Sequence, residues 1–522
     1  MKKVNLYIKS ILILATTLSI MSCKKDYLNT LPTDSTSPAT VFSSIENVRG
    51  AVNGLSRAMK TQYIDSQGFN GEGTIKMYYG NYSGNHFSVP LPGWSSVINM
   101  EYFNNPQSTY DYYPWYYYYK IIGNANSILV NIDGVTGDQK EKDFLKAQTL
   151  CFRAYCYFML SQLYGDRWID SNNGGTDAVI LRTIDNLDDM PLSTLAQTYD
   201  FVYKDLDDAI SLYQSSGLNR ASTRNYEMNL DVAYAIYARA AITKHDYPNA
   251  EKYASLAKQN YPLMNATAYK AGFSNPTSEW IWSIYDNDQE TIYFFSFGAY
   301  IGYNSTAGNV RSTPKSISKE LFNSIPLTDI RRTMFLDPAI APSYATFNAT
   351  TGQGNTSGSQ NSLTYVRSLY PSIQTTAVPY AYMQLKIAIN TAPGVSHVPN
   401  FRSSEMYLIE AEAKYFQNKS VTDIQTLLNQ LTKTSGRDPN YNCTATGTAL
   451  LEEIKKYRAI ELWGEGYDFF DMKRWGDEIV RKSFTNGGNF QTSLAVTIKP
   501  DQNNKWKLVV PQRETDYNTL LK

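Results

Sequence analysis

The sequence predicts a mainly α-helical protein: helix pairs joined to an irregular, loop-rich region with short strands. Three stretches carry that prediction. Between Glu141 and Tyr164, the residues Phe144, Ala147, Cys151, Ala154, Tyr155 and Phe158 recur at steps of three and four, which puts them on one helix face. From Leu230 to Lys244, Val232, Ala233, Ile236, Tyr237 and Ala240 repeat the pattern. Asp246-Tyr247-Pro248 then breaks it, and Ala250, Tyr253, Ala254 and Ala257 resume it from Asn249 to Gln259. Residues 404–432 hold a further pair. Met406, Ile409, Ala413 and Phe416 precede the turn Gln417-Asn418-Lys419-Ser420, and Ile424, Leu427, Leu428 and Leu431 follow it.

Taken in chain order, residues 1–22 read as a secretory signal. Lys2-Lys3 is followed by the apolar run Ile11-Leu12-Ile13-Leu14-Ala15 and by Ile20-Met21-Ser22. Thr16, Thr17 and Ser19 interrupt the run, which is too short to span a bilayer. Cys23 directly after Ile-Met-Ser resembles the lipobox of a bacterial lipoprotein, so the mature chain is expected to begin with an acylated Cys23. An ordinary signal peptide ending near a cysteine is the alternative. Residues 23–40, rich in Thr, Ser, Pro and Asp, read as an extended tether.

The body is expected to fill 41–522, as an N-terminal half (41–261) and a C-terminal half (262–522). Residues 78–94 mix aromatics with Gly and amides without helical periodicity and read as a loop. In the run from Tyr110 to Tyr119 and just beyond, Trp115, Tyr118, Tyr119, Ile122, Ala125 and Asn126 fall at helical spacing and read as a buried stripe, with Tyr110 and Tyr112 left free to be exposed. The helix pairs at 230–259 and 404–432 look like tetratricopeptide-type hairpins, with small alanines permitting close approach. Between them, residues 262–400 read as loops and short strands, with exposed Gly-, Ser- and Asn-rich stretches such as Thr350 to Asn361. A further helix is expected from Ala449 to Trp463, with Leu451, Ile454, Tyr457 and Leu462 facing the core.

Composition excludes several functions. Net charge is zero over the full chain, and removal of Lys2, Lys3 and Lys9 with the signal leaves a slight acidic excess. Nucleic-acid binding needs clustered excess Lys and Arg, so no nucleic-acid partner is expected. Cys151, Cys156 and Cys443 show no regular disulfide spacing, and Cys151 and Cys156 lie on different faces of one helix. His86, His245 and His397 stand apart from one another and from other ligand types, so no metal site is expected. No P-loop, Gly-x-Ser-x-Gly or His-Glu-x-x-His motif is present. Two carboxylates would suffice for a glycosidase, and sequence alone leaves that open. Tyrosine is abundant, at 42 against 21 Phe, which suits packing edges and surfaces where one end of the ring is wet.

Several segments together are similar to the SusD/RagB family. They are Phe152-Arg153-Ala154-Tyr155-Cys156-Tyr157-Phe158 with Leu163-Tyr164-Gly165-Asp166, then Arg402-Ser403-Ser404-Glu405-Met406-Tyr407-Leu408-Ile409-Glu410-Ala411-Glu412-Ala413, then residues 458–476 from Arg458-Ala459-Ile460-Glu461 through Lys473-Arg474-Trp475-Gly476. Val510-Pro511-Gln512-Arg513-Glu514 and Cys23 with Asp26-Tyr27-Leu28 complete the likeness. The resemblance implies a right-handed superhelical scaffold of tetratricopeptide-like helix pairs. It also implies a lipid-anchored, surface-facing outer-membrane protein that binds glycans without turnover, needs no cofactor, and hands nutrient to a SusC-like TonB-dependent transporter. Some relatives take peptides instead, and a surface glycosidase is the rival of another class. Within the motifs, Arg153, Glu405, Glu412, Glu461 and Arg474 are expected to be structural charges tying helices together. Asp468 stands where many relatives carry Arg.

Sugar binding has its own residue logic: C–H faces of pyranoses pack on exposed aromatic rings, and amides and charged groups bond to hydroxyls. On that logic the candidates are Trp94, Tyr82, Asn81 and His86 in the 78–94 stretch, and Tyr300, Tyr303 and Asn304 in the Tyr293–Asn304 patch. Family members vary these positions freely, so none is carried over as a known contact.

Overall fold

The computed structural model describes residues 38–64, 68–90, 93–184, 186, 188–290 and 293–521. Cys23, the signal peptide and most of the expected tether lie outside the described residues. Pro38–Val41 forms one helical turn instead of an extended end to the tether.

The principal helices are α1 (Ile45–Ala58), α2 (Thr109–Asn131), α3 (Gln139–Tyr164), α4 (Leu195–Ser216), α5 (Leu230–Thr243), α6 (Tyr247–Ala257), α7 (Ser403–Phe416), α8 (Val421–Asn429), α9 (Gly447–Glu461) and α10 (Asp468–Trp475). Local sequence explains their ends. The side chain of Asp138 caps α3 by accepting the Glu141 N–H, and Thr194 with Gln197 forms a reciprocal capping box on α4. Gly217 ends α4 in the left-handed region that favours glycine. Asp246 caps α6 and Pro248 lies in its first turn, so the break read at 246–248 is a helix start.

Consecutive helices pack in series, α2 on α3, α3 on α4, and onward through α8, with α7 also against α9. The joint between α5 and α6 is filled by Tyr237 and Tyr253, whose rings stack at 3.9 Å. The expected stripe on α2 is the buried face, with Trp115, Tyr118, Ile122, Ala125 and Asn126 all inside and Tyr119 half-buried. The middle of the chain is irregular, as expected. Strand β1 (Trp280–Ile284) pairs antiparallel with β2 (Val398–Arg402), which feeds directly into α7.

Tyrosine abundance is mostly a property of the interior. Tyr117, Tyr118 and Tyr155 donate to the carboxylate of buried Glu72, at 2.6 Å for Tyr155. Tyr113 and Tyr157 donate to the backbone carbonyls of Gly71 and Arg182. Each ring supplies apolar volume while its hydroxyl satisfies an acceptor that would otherwise be stranded.

The family motifs form buried ion pairs between helices. Arg153 of α3 binds Asp205 of α4 at 2.7 and 2.8 Å and also Asn126 of α2. Arg239 of α5 binds Glu405 of α7 at 2.7 Å, and Arg474 of α10 binds Glu412 of α7 at 2.7 Å. The largest cluster joins Arg331, Lys386, Arg402 and Arg437 to Glu279, Asp329, Glu461 and Glu465, all buried. Four cations thus face four carboxylates, and the cluster as a whole is neutral.

Burial by itself would raise these carboxyls. For Glu461 the guanidiniums of Arg437, Arg402 and Arg331 outweigh burial and hold it well below the usual carboxylate range. Arg402 and Lys386 do the same for Glu465, and Arg474 and Arg458 for Glu412. A depressed folded-state pKa contributes stability that is complete above the unfolded value of about 4.3 and is lost as pH falls through the folded one. Through these carboxyls the melting temperature is therefore expected to drop steeply as pH falls below about pH 4. Melting curves from pH 3 to 8 check this, and a flat profile down to pH 3 would contradict it.

Candidate ligand-binding site

Residues Ile75–Tyr82 form a π-helix, buried throughout, although residues 78–82 read from the sequence as the start of a loop. Its i→i+5 winding does not produce a 3.6-residue apolar period, which is why the helix is invisible to that test. Gly80 allows it to lie against the turn between α9 and α10, where an added Cβ would sit 2.2 Å from the Gly466 carbonyl oxygen. Gly80→Ala is expected to cost on the order of 3 kcal/mol, since backbone on both sides cannot give way. Urea unfolding measures this, and a variant as stable as the parent would contradict the close approach.

Two candidates on this segment are corrected by that packing. Asn81 donates to the Gly464 carbonyl at 3.0 Å and accepts the Gly466 N–H at 2.9 Å, so both ends of its amide are occupied by the protein. Tyr82 is fully buried, with its ring parallel to Tyr78 at 6.0 Å. Neither presents a surface to a ligand.

Trp94 and Tyr300 are brought together. The short helix Phe297–Ile301, capped by Ser296, delivers Tyr300 onto the π-helix. There its hydroxyl is hydrogen-bonded to that of Tyr78, and Tyr82 meets its ring edge-on at 6.5 Å. Tyr300 is fully buried, so it is the base of the site and not an exposed contact. Burial raises both the Tyr78 and Tyr300 hydroxyls above the ordinary phenol range, so they stay neutral. Trp94 rests on this base, 5.2 Å from the Tyr78 ring and 6.2 Å from Tyr300, and is itself half-buried. Its indole N–H has no hydrogen-bond partner among the described residues.

Half-buried Tyr110 and Phe295 pack on Tyr78 and Tyr300, and Phe294 beside them is 57% exposed. The sequence reading left Tyr110 open and missed both phenylalanines, although they stand inside the aromatic patch it marked. The result is an indole packed against phenol rings and partly exposed. Such a surface can stack on an apolar ring face, and a free indole N–H can donate to an acceptor on its edge.

The remaining candidates lie elsewhere. The backbone N–H of His86 donates to Asp468 at 2.6 Å, its carbonyl accepts from the Trp463 indole at 2.8 Å, and its Nδ1 is 3.2 Å from the Ser318 hydroxyl. His86 lines a separate cleft of about 390 Å³ with Trp463 and Trp475. Asp468, the departure from the family pattern, thus fastens the 84–86 turn. Asn304 brackets Ile389, accepting its N–H at 2.8 Å and donating to its carbonyl at 3.0 Å, and so has no free amide. Tyr303 packs edge-on against Tyr370 at 5.3 Å in a second small core. Cys151, Cys156 and Cys443 are buried free thiols.

A family model described as the SusD family matches residues 237–519, more than half of the chain. The chain belongs to the SusD family. A second family model, described as starch-binding associating with outer membrane, matches residues 26–242. Among solved structures, a SusD-like carbohydrate binding protein from Bacteroides vulgatus superposes with a TM-score of 0.72 at 21% identity, covering 92% of this chain and 98% of its own. A SusD superfamily protein from Bacteroides thetaiotaomicron gives 0.72 at 20% identity, covering 92% and 99%. Another from Bacteroides vulgatus gives 0.73 at 22% identity, covering 92% and 98%. These likenesses show the SusD fold. A comparison with curated protein sequences found no match. Among the described residues, no helix is long and apolar enough to cross a membrane.

Proposed function

We propose that this SusD-family chain captures an oligosaccharide at the cell surface and delivers it to a SusC-like TonB-dependent transporter in the outer membrane, without chemical turnover. The observation that carries the reading is Trp94: a half-exposed indole on a rigid base of Tyr78 and Tyr300. A sugar offers such a surface alternating C–H faces, and stacking needs no charge. The family membership and the carbohydrate-binding name of one structural relative support the ligand class. Binding without catalysis accords with Glu72, Glu461 and Glu412, whose carboxylate oxygens are occupied by phenol and guanidinium groups. A screen of soluble residues 24–522 against a broad glycan panel tests the reading, and no binding to any glycan would overturn it.

Anchoring is part of the proposal. Acyl chains on Cys23 would each add about 0.8 kcal/mol per buried methylene, and more than one chain holds a protein to a bilayer stably. Cys23→Ala is expected to move the protein out of the outer-membrane fraction in cells lacking the transporter. Retention of that variant in the membrane would contradict the anchor.

A further inference from the structure

A second aromatic surface lies on α2, turned away from Trp94. Tyr110 faces the Trp94 cluster, and Tyr112, two residues on, points about 200° around the helix from it. Tyr112, Tyr116 and Lys120 recur every four residues and form one stripe. The rings of Tyr112 and Tyr116 are 5.5 Å apart and only 35° from parallel, and both are half-buried. They line a cleft of about 500 Å³ floored by Trp115 and Tyr119.

Two cations stand at this cleft. The Lys120 ammonium lies 5.7 Å from the centre of the Tyr116 ring, and the Arg513 guanidinium lies 4.4 Å from that of Tyr112. Both are exposed, and neither has a carboxylate partner among the described residues. Among the described lining residues the carboxylate is Glu514, which is already engaged by the Trp115 indole N–H at 3.2 Å and faces Arg182 at 3.7 Å. Among the described residues the Tyr112 and Tyr116 hydroxyls make no hydrogen bond, so two hydroxyl donors stand beside the two cations.

We propose that this cleft is a second glycan subsite selective for acidic sugars, with the tyrosine faces stacking on pyranose rings and Lys120 and Arg513 binding a uronate carboxylate. Stacked rings alone would take neutral sugars, and unpaired cations alone would take any anion. The combination fits a chain of sugar rings that carries carboxylates. The site is independent of Trp94 and stands or falls separately from the capture reading above.

Calorimetric titration of residues 24–522 with tetragalacturonate and with neutral galactotetraose tests it. The acidic tetramer should bind with an affinity that weakens as salt rises, and tightly compared with the neutral one. The double variant Lys120→Gln, Arg513→Gln changes exposed side chains only and should weaken binding at least about tenfold, on the strength of charge-assisted hydrogen bonds. Tyr116→Phe should keep most of the stacking, and Tyr116→Ala should lose it. Trp94→Ala should leave the acidic titration within about twofold, because no shared residue links the two surfaces. Equal affinity for the two tetramers, no binding of either, or indifference to the double variant would overturn the proposal. So would equally tight binding of polyglutamate, which would mark the cleft as an anion or peptide site.

Discussion

Glu461→Ala is expected to abolish a stable fold. The Glu461 carboxylate accepts from Arg437 at 2.9 and 3.0 Å, from Arg331 at 3.0 Å and from Arg402 at 3.1 Å, and all four side chains are buried. Asp329, Glu279 and Glu465 remain for four cations once it is removed, so one positive charge is stranded in the interior. Breaking a single buried pair costs about 3–5 kcal/mol, and this change breaks three contacts at once. Whole proteins hold together by about 5–15 kcal/mol, so the loss is of the order of the total. The cluster also joins distant parts of the chain: β2, α9, the 3-10 helix Ile330–Met334 and the bend at 437 meet at this carboxylate. Soluble yield and urea unfolding measure the effect. Glu461→Gln keeps the shape and an acceptor oxygen and is expected to fall between the alanine variant and the parent. An alanine variant within about 1 kcal/mol of the parent would show that the charges are not what joins these segments.

Trp94→Ala is expected to weaken oligosaccharide binding about 30-fold, or roughly 2 kcal/mol. The indole is a large, partly exposed ring whose orientation is set by Tyr78 and Tyr300. Preorganisation matters here because little rotamer freedom is left to lose on binding. Removing the ring takes away the stacking face and the indole donor together. Trp94→Phe keeps a smaller face without the donor and should lose about threefold to tenfold. Because Trp94 also packs on Tyr78, the alanine variant should lose some stability, so affinity must be read well below its melting temperature. Unchanged affinity in Trp94→Ala would remove Trp94 from the site while leaving glycan capture intact.

The helices were legible where one face is apolar and the winding is regular. α3, α5, α6, α7 and α9 begin and end within a few residues of the expected bounds, because steps of three and four residues and turn residues such as Pro248 are local signals. The π-helix at 75–82 was not legible, since its winding breaks that rhythm and its burial depends on Gly80 meeting Gly466 from the far end of the chain. The site was half legible. An aromatic-rich stretch marks rings but not their exposure or their neighbours, so Trp94 and Tyr300 read as candidates in separate stretches, while the structure brings them together with Tyr300 and Tyr82 buried beneath. Amides misled for a related reason. Asn81 and Asn304 have the hydrogen-bonding groups a sugar needs, and peptide groups of the same chain claim them first. Whether a polar side chain serves a ligand or its own backbone is decided by tertiary contacts that composition does not encode.

The most direct test of the central claim is a crystal structure of residues 24–522 with the tightest oligosaccharide from the glycan panel. The structure is expected to show a pyranose ring lying parallel to the Trp94 indole, bordered by Tyr110 and Phe294. A sugar bound elsewhere with Trp94 left bare would contradict the assigned site, and a panel yielding no ligand would contradict glycan capture itself.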